Sequence, residues 1–104
     1  MKINFAKTEH IDLISEFERD NFFGEAYSKS QIEEIMSDNY LLKNNDNIVV
    51  ALNDDGIELI GYIIFHIQDD FTDIYKIFVR ENDRNKGIGN ALLSEVEKLS
   101  KRFH

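Results

Sequence analysis

One eight-residue segment combines two glycines with two basic side chains. It consists of Arg84-Asn85-Lys86-Gly87-Ile88-Gly89-Asn90-Ala91. Two glycines one residue apart allow a tight turn that points successive backbone N–H groups into one concavity. A helix that begins there adds unpaired N–H groups and the positive end of its dipole, and Arg84 and Lys86 add charge. The segment therefore predicts a binding site for a phosphate group.

The spacing of this segment excludes two common phosphate-binding motifs. A Walker loop requires a Gly-Lys-Ser/Thr sequence, which does not follow here. A dinucleotide fingerprint requires Gly or Ala at position 92, which is Leu92, and an acidic residue about twenty positions later. The remaining pattern is Arg-x-x-Gly-x-Gly. By itself, this pattern is as compatible with a structural turn as with a phosphate site.

The elements around the segment predict an α+β fold in the order β-α-α-β-β-β-α, with a mostly antiparallel sheet and flanking helices in one domain of residues 1–104. Apolar residues at helical spacing predict helices over 9–20, about 29–37 and 87–102. We expect Thr8 to cap the first helix. Ser28 and Gln31 have the spacing of a capping box on the second helix.

The strands are predicted from alternating or continuous apolar runs. They cover residues 2–6, 48–52, 59–67 and 72–79, and the apolar triplet 40–42 begins the strand-rich part. A polar turn over 53–56 separates two of these strands, and Gly61 is expected to mark a bulge within one of them.

In this context the segment resembles the coenzyme loop of the GCN5-related N-acetyltransferases (GNAT), and within them the ribosomal-protein-alanine N-acetyltransferases. The strand over 74–79 leads through four residues into the glycine loop, and 89–93 has the small-then-apolar helix start of the family. Upstream, Glu18 and Phe22-Phe23 resemble the substrate-side helix pair. The resemblance covers nearly the whole chain, and its specificity lies in residues 74–93.

The resemblance implies acetyl-coenzyme A as the co-substrate, with direct acetyl transfer from the thioester to an amine and no metal. The backbone groups implied to pair with the pantetheine arm are those of Ile77, Phe78 and Val79. The N–H groups implied to hold the pyrophosphate are those of Asn85, Lys86, Gly87, Ile88, Gly89 and Asn90, with Arg84 at the mouth of the site.

The catalytic residues stay open at this stage. In some family members a glutamate near the start of the fourth strand deprotonates the substrate ammonium, and Asp73 occupies that position. The alternative for Asp73 is a turn carboxylate. His66 is either a base in the cleft or a partly buried strand residue. No residue matches the tyrosine that serves as general acid in the family, since Tyr62 and Tyr75 lie on predicted strands.

The charge distribution bears on the partners. The net charge of -8 argues against nucleic-acid binding, which depends on phosphate neutralisation. Residues 1–73 carry 5 Lys/Arg and 16 Asp/Glu, whereas residues 74–104 carry 7 and 4. This asymmetry suits an amine substrate, which is a cation, and an anionic cofactor, although an acidic surface also aids solubility. The acidic stretches 16–20 and 33–34 either attract an amine or are solvated helix faces. The aromatic residues Phe22, Phe23 and Tyr27 either line a substrate pocket or pack on the core.

Other composition features narrow the function classes. The chain has no cysteine and only three histidines, so a thiolate nucleophile is excluded and a metal cluster is not expected. No apolar run approaches the roughly 20 residues of a membrane span, and no secretory signal precedes the first strand, so a cytoplasmic location is expected.

Three function classes follow from these features. They are an acetyl-coenzyme A-dependent N-acetyltransferase, a coenzyme A-binding fragment without turnover, and an acidic interaction module. Because the sequence ends after the coenzyme-binding helix, the strand-helix-strand-strand part of the family is expected to be missing. An exposed edge on strand 72–79 then predicts a homodimer, with Ile64, Ile74, Leu93 and Phe103 exposed.

Overall fold

A four-stranded antiparallel sheet lies at the centre of the computed structural model, which describes residues 1–37, 39 and 41–103. Its strands, in spatial order, are β1 (Lys2–Phe5), β2 (Asp46–Leu52), β3 (Leu59–Ile67) and β4 (Thr72–Val79). Each strand pairs antiparallel with the next. The predicted α+β class and element order are confirmed, and β3 and β4 have the predicted bounds.

Helices cover both faces of the sheet. The described residues form α1 (Ile11–Asn21), α2 (Lys29–Ser37) and α3 (Ile88–Ser100), with short 3-10 turns at Thr8–His10 and Glu81–Asp83. The first two helices share one apolar cluster with the sheet, and α3 shares the other. None of the helices in this part of the chain is both long and apolar enough to cross a membrane.

Strand β3 forms the core because both of its faces are buried. Ile63 contributes to the cluster under α3, and Ile64 to the cluster under α1 and α2. The prediction that Ile64 is exposed is therefore wrong, because that face is covered by two helices. Ile74 and Leu93 are exposed as predicted, at 41% and 43%, while Phe103 packs partly against the α3 cluster.

The starts of the first two helices differ in how they are capped. Thr8 does not cap α1: it lies inside the 3-10 turn, and the Lys7 N–H donates to His10 Nδ1 at 2.9 Å. The capping box on α2 is confirmed. The Ser28 N–H donates to Gln31 Oε1 at 2.8 Å, and the Gln31 N–H donates to Ser28 Oγ at 3.2 Å.

The predicted strand start at 40–42 is not present in the described residues. Leu41 lies in a turn and Leu42 has a φ of 53°, which does not fit an extended strand. Tyr40 lies outside the described residues. The regular strand begins later, at Asp46.

Gly61 marks both a bulge and a close approach between strands. The β2–β3 register shifts between Ala51 and Leu52, so the residue next to Gly61, Ile60, is the unpaired one. A Cβ atom on Gly61 would lie 2.7 Å from the carbonyl oxygen of Phe78. Only glycine therefore lets β3 approach β4 this closely at that point.

Candidate functional site

The segment predicted to bind phosphate connects the end of β4 to the first turn of α3. It lines a surface cleft of about 440 Å³, called here the phosphate cleft. The residues that line it are Ile77, Val79, Asp83, Arg84, Asn85, Gly87, Ile88, Gly89 and Asn90. Of the predicted coenzyme-site residues, Phe78 and Lys86 are not part of this lining. The Phe78 side chain is buried in the cluster under α1 and α2.

The backbone of the phosphate cleft turns at two residues with left-handed conformation. These are Asn85, with a φ of 64°, and Gly87, with a φ of 82°. The spacing of the two glycines predicts that both form the turn, but Gly89 is already inside α3. Asparagine supplies the first turning position because it tolerates this conformation better than other residues with a Cβ atom.

The first turn of α3 presents unpaired backbone donors. The first intrahelical bond runs from the Ala91 N–H to the Gly87 oxygen at 3.0 Å. The N–H groups of Ile88, Gly89 and Asn90 therefore have no acceptor within the helix. Gly87, at the N-cap, has no side chain that could accept from them, so they remain suited to an anion.

The charged side chains of the segment are held by specific partners. Arg84 Nε donates to the Val79 carbonyl oxygen at 2.8 Å, and Lys86 Nζ lies 3.5 Å from Asp83 Oδ1. Arg80 also donates to Asp83, and this bond holds the pKa of the Asp83 carboxyl below its usual value. The carboxylate in the cleft is thus compensated by two cations, and Arg84 is fixed at the end of β4.

Strand β4 is the edge of the described sheet. Its residues Ile77, Phe78 and Val79 pair with Ile63, Tyr62 and Gly61 of β3 on one side. On the other side no described strand pairs with them. Ile77 is 38% exposed beside the phosphate cleft, so this edge offers backbone groups next to an apolar surface.

A second cavity, of about 380 Å³, lies against α2 and is called here the polar pocket. It is lined by Tyr27, Gln31, Glu34, Ile35, Asn44, Asn45, Asp46 and His66. His66 Nδ1 lies 2.6 Å from Asp46 Oδ1, because Asp46 and His66 are directly opposite each other in the β2–β3 register. His66 was predicted from the sequence as a candidate, but Asp46 was not. The sequence of the turn before β2 does not show which residue of β3 will lie opposite Asp46.

Asp73, the candidate base, lies within β4 and not in the preceding turn. It is opposite His66 in the β3–β4 register and accepts a hydrogen bond from Gln68 Nε2 at 3.1 Å. Tyr75 lies beside it, with its ring centroid 6.2 Å from that of His66. Burial and the charges of Asp46 and Asp73 raise the pKa of the Tyr75 hydroxyl, which favours its protonated form.

A buried ion pair joins α1 to β4. Glu18 is 0% exposed, and its Oε1 lies 2.7 Å from Lys76 Nζ. The Tyr62 hydroxyl donates to the other carboxylate oxygen, and the Tyr27 N–H donates to Oε1 at 3.0 Å. The Glu18 carboxylate is therefore fully used in contacts within the protein and is not available to attract an amine. Burial and the bond to Glu18 raise the pKa of Tyr62, so Tyr62 remains a neutral donor.

The aromatic residues between α1 and α2 divide between core and solvent. Phe22 and Tyr27 pack against the α1–α2 cluster, with Lys76 Nζ 4.1 Å and 4.9 Å from their ring centroids. Phe23 is 90% exposed. Tyr27 also lines the polar pocket, so both interpretations of this loop hold for that residue.

No group of three His, Cys, Asp or Glu residues suited to a metal occurs within 1–37, 39 and 41–103. His104 lies outside the described residues. The arrangement therefore consists of an anion-binding helix start, an exposed strand edge, and a polar pocket whose His66 lies opposite Asp73 of that strand.

Comparison with known proteins places this geometry in a family. The sequence profile described as "Acetyltransferase (GNAT) family" matches residues 11–104. No curated protein sequence matches the chain significantly.

Several solved structures share the fold at low identity. An aminoglycoside 6'-N-acetyltransferase complexed with coenzyme A is 22% identical, with a TM-score of 0.77, and the match covers 98% of this chain and 56% of that one. Rv2747 from Mycobacterium tuberculosis, in complex with CoA and NLQ, is 17% identical, with a TM-score of 0.78 and coverage of 99% and 59%. Arabidopsis thaliana NAA60, in complex with a bisubstrate analogue, is 20% identical, with a TM-score of 0.71 and coverage of 95% and 67%.

The chain thus spans between 56% and 67% of the length of these three structures. At this low identity, the structural similarity establishes a common fold alone. The profile match extends over nearly the whole chain, including the phosphate cleft. On that match, the chain belongs to the acetyltransferase (GNAT) family.

Proposed function

We propose that this protein binds acetyl-coenzyme A and transfers the acetyl group to a primary amine. The observation that carries the proposal is the phosphate cleft. Its helix start combines three N–H groups without helical acceptors, a left-handed Gly87 at the N-cap and the tethered Arg84. Membership of the acetyltransferase family and the coenzyme A named in two of the similar structures support the same ligand.

The residues present fit the coenzyme. A pyrophosphate matches the N–H groups of Ile88, Gly89 and Asn90, because several donors converge where the helix dipole is positive. A Cβ atom on Gly89 would lie 3.9 Å from both Ile77 Cδ1 and Val79 Cγ2, so its absence keeps the wall between helix and strand open. The exposed Ile77 and the edge of β4 suit an arm with alkyl and amide groups.

When bound, acetyl-coenzyme A supplies an activated thioester. The chain's own part in the reaction is to bind, to orient and to handle protons. The start of α3 holds the anionic end, the edge of β4 aligns the arm, and a base near the polar pocket removes a proton from the acceptor ammonium. Proximity of the two reactants provides much of the rate in a transfer of this kind.

The charge asymmetry supports a cationic acceptor. The first 73 residues, which contain the polar pocket, carry 16 acidic and 5 basic side chains. Such a surface raises the local concentration of cations and lowers that of anions. The narrower resemblance to ribosomal-protein-alanine N-acetyltransferases remains a prediction about which amine is used.

Calorimetric titration with acetyl-coenzyme A tests binding, and release of free thiol with a panel of primary amines tests turnover. Gly89→Ala is the informative variant, because the added methyl group meets no backbone atom of the described residues within 4 Å apart from those of its own helix and chain neighbours. Alanine also favours a helix by about 1 kcal/mol over glycine. We expect unchanged or greater thermal stability with a loss of coenzyme affinity of about tenfold, which corresponds to about 1.4 kcal/mol.

Ser94→Ala, at an exposed position of α3, is the matched control and should change neither quantity. Unchanged affinity in Gly89→Ala would remove the cleft from the coenzyme site. Binding without thiol release for any amine would indicate a coenzyme-binding protein without turnover. Absence of binding would refute the proposal.

A further inference from the structure

Strand β4 lines the phosphate cleft near its end and pairs, near its start, with the strand that carries His66 of the polar pocket. Ile77 and Val79 line the phosphate cleft, while Asp73 lies opposite His66 of the polar pocket and Tyr75 neighbours it. The four residue steps from Val79 back to Tyr75 span about 13 Å along an extended strand. A ligand anchored by its phosphates and extended along this edge would therefore bring its far end towards the polar pocket.

The lining of the polar pocket fits a small cationic amine. None of its eight described lining residues is Lys or Arg, and two of them, Glu34 and Asp46, carry carboxylates. Amide groups of Gln31, Asn44 and Asn45 add acceptors. Its volume, about 380 Å³, is in the range of small-molecule sites, which is roughly 300–1,000 Å³.

His66 and Asp46 form a pair suited to accept a proton. The distance between Nδ1 and Oδ1 is 2.6 Å, and because a carboxylate only accepts, Nδ1 is the nitrogen that carries the hydrogen. This tautomer leaves the lone pair on Nε2. The His66 side chain is 19% exposed, so it remains accessible from the polar pocket that it lines.

The other titratable groups around His66 are less suited to this task. On β4, Asp73 is bonded to Gln68 and the hydroxyl of Tyr75 has a raised pKa. From the loop before α2, Tyr27 also has a raised pKa, caused by burial and by the charges of Asp46 and Glu18. Glu34 of α2 lines the same pocket and adds a negative charge that favours a cation.

We propose that His66, oriented by Asp46, is the base that deprotonates the acceptor ammonium in the polar pocket. One proton moves from R–NH3⁺ to Nε2, and the free amine then attacks the thioester carbonyl carbon. The new C–N bond forms, the amine nitrogen loses a second proton to solvent, and the C–S bond breaks with its electron pair on sulfur. The thiolate takes up one proton, and Nε2 returns its proton to water. The inference rests on the proposed acetyl transfer.

The test compares His66→Gln and Asp46→Asn with the wild type. Coenzyme affinity is measured by calorimetry, and thiol release is measured from pH 6 to 10 with methylamine, spermidine and a tripeptide amide with a free N-terminus. We expect unchanged coenzyme affinity in both variants. For His66→Gln, kcat/KM at pH 7 should fall by about 100-fold, the lower end of the usual contribution of a general base.

The pH profile separates a base from a structural residue. For the tripeptide amide, the deficit of His66→Gln should shrink towards pH 10, because an α-amino group has a pKa of about 7.7–8.0 and is then deprotonated without help. For methylamine and spermidine it should shrink much less, because their ammonium groups resemble that of lysine, whose pKa is about 10.4. In Asp46→Asn, kcat should fall by a smaller factor than in His66→Gln, because Asp46 acts only by orienting His66. His10→Gln and the exposed Asp69→Asn are the residue-matched and charge-matched controls.

Each result decides the inference. Wild-type rate and pH profile in His66→Gln would overturn it, as would an equal loss of coenzyme affinity, which indicates a structural role. A comparable pH-dependent loss in Asp73→Asn alone would assign the base to Asp73. Coenzyme binding without acetylation of any of the three amines would overturn the inference, whereas a failure to bind coenzyme would refute the proposed function itself.

Discussion

Replacing Lys76 with Met should leave a buried carboxylate without its counter-charge. The Lys76 ammonium donates to Glu18 Oε1 at 2.7 Å and to the Glu25 carbonyl at 2.8 Å, and it lies over the Phe22 ring. Methionine keeps most of the apolar length of the lysine stem, so the variant isolates the charge. Glu18 would then retain only the Tyr62 hydroxyl and the Tyr27 N–H as donors among the described residues.

The magnitude follows from burial. The side chains of Glu18 and Lys76 are 0% and 10% exposed, so solvent cannot replace the lost partner. Removing one member of a buried ion pair costs about 3–5 kcal/mol in the free energy of unfolding. With a urea m-value of about 2 kcal/mol/M, the unfolding midpoint should fall by about 2 M. Total stabilities of domains are about 5–15 kcal/mol, so the loss is large.

Urea unfolding followed by far-UV circular dichroism measures this loss. Lys101→Met is the matched control: its pair with Glu97 is 3.6 Å long, and both side chains are at least 70% exposed. Exposed pairs contribute at most about 1 kcal/mol. The double variant Glu18→Gln/Lys76→Met removes both charges and keeps an acceptor, so it should recover at least half of the loss. A loss in Lys76→Met no larger than the control's, or strict additivity in the double variant, would refute the reasoning.

Four other predictions concern separate features of the chain. Arg84→Ala should weaken coenzyme binding by up to about tenfold in calorimetry, with a smaller effect in high salt, because exposed phosphate contacts are screened; a salt-independent loss would indicate misfolding. Gly61→Ala should lower stability by about 1–3 kcal/mol and also weaken coenzyme binding, because its Cβ atom would meet the Phe78 carbonyl oxygen at 2.7 Å and displace β4; an unchanged melting temperature would contradict this. Burial lowers the pKa of His10 from 6.5, so the unfolded state takes up the proton first as the pH falls. The contribution of His10 to the free energy of unfolding is therefore complete above pH 6.5 and is lost as the pH falls below it. Urea midpoints at pH 5 and 7.5 should differ less in His10→Gln than in the wild type. The exposed β4 edge predicts a homodimer by light scattering at micromolar concentration, reverted by Ile74→Lys, and a wild-type monomer would contradict it.

Much of the fold could be predicted because its determinants are local. The apolar runs of β3 and β4 each lie within nine residues or fewer, and the bounds of both strands were predicted correctly. The capping box of Ser28 and Gln31 is also a local pattern, since both partners lie within one turn. Thr8 does not cap α1 for a reason that is also local: residues 8–10 form a 3-10 turn in which His10 accepts the hydrogen bond from the Lys7 N–H.

The phosphate segment shows where local information ends. Its position between β4 and α3 follows from the sequence, and glycine spacing predicts a sharp turn. Sequence alone assigned that turn to both glycines, whereas Asn85 takes one of the two left-handed positions and Gly89 lies in the first turn of α3. The choice depends on how the chain must leave β4 to pack α3 on the sheet.

The pairs that give the candidate site its chemistry were decided by the tertiary structure. Glu18 and Lys76 are separated by 58 residues, and Asp46 and His66 by 20. The first pair meets because α1 packs on the face of β4 that carries Lys76, and the second because the register of β2 and β3 aligns them. The sequence determined the order of elements and the anion-binding turn through short-range patterns. Which charges met, which were buried and which residues faced a pocket depended on register and packing, because a shift of one residue along a strand moves every side chain to the opposite face.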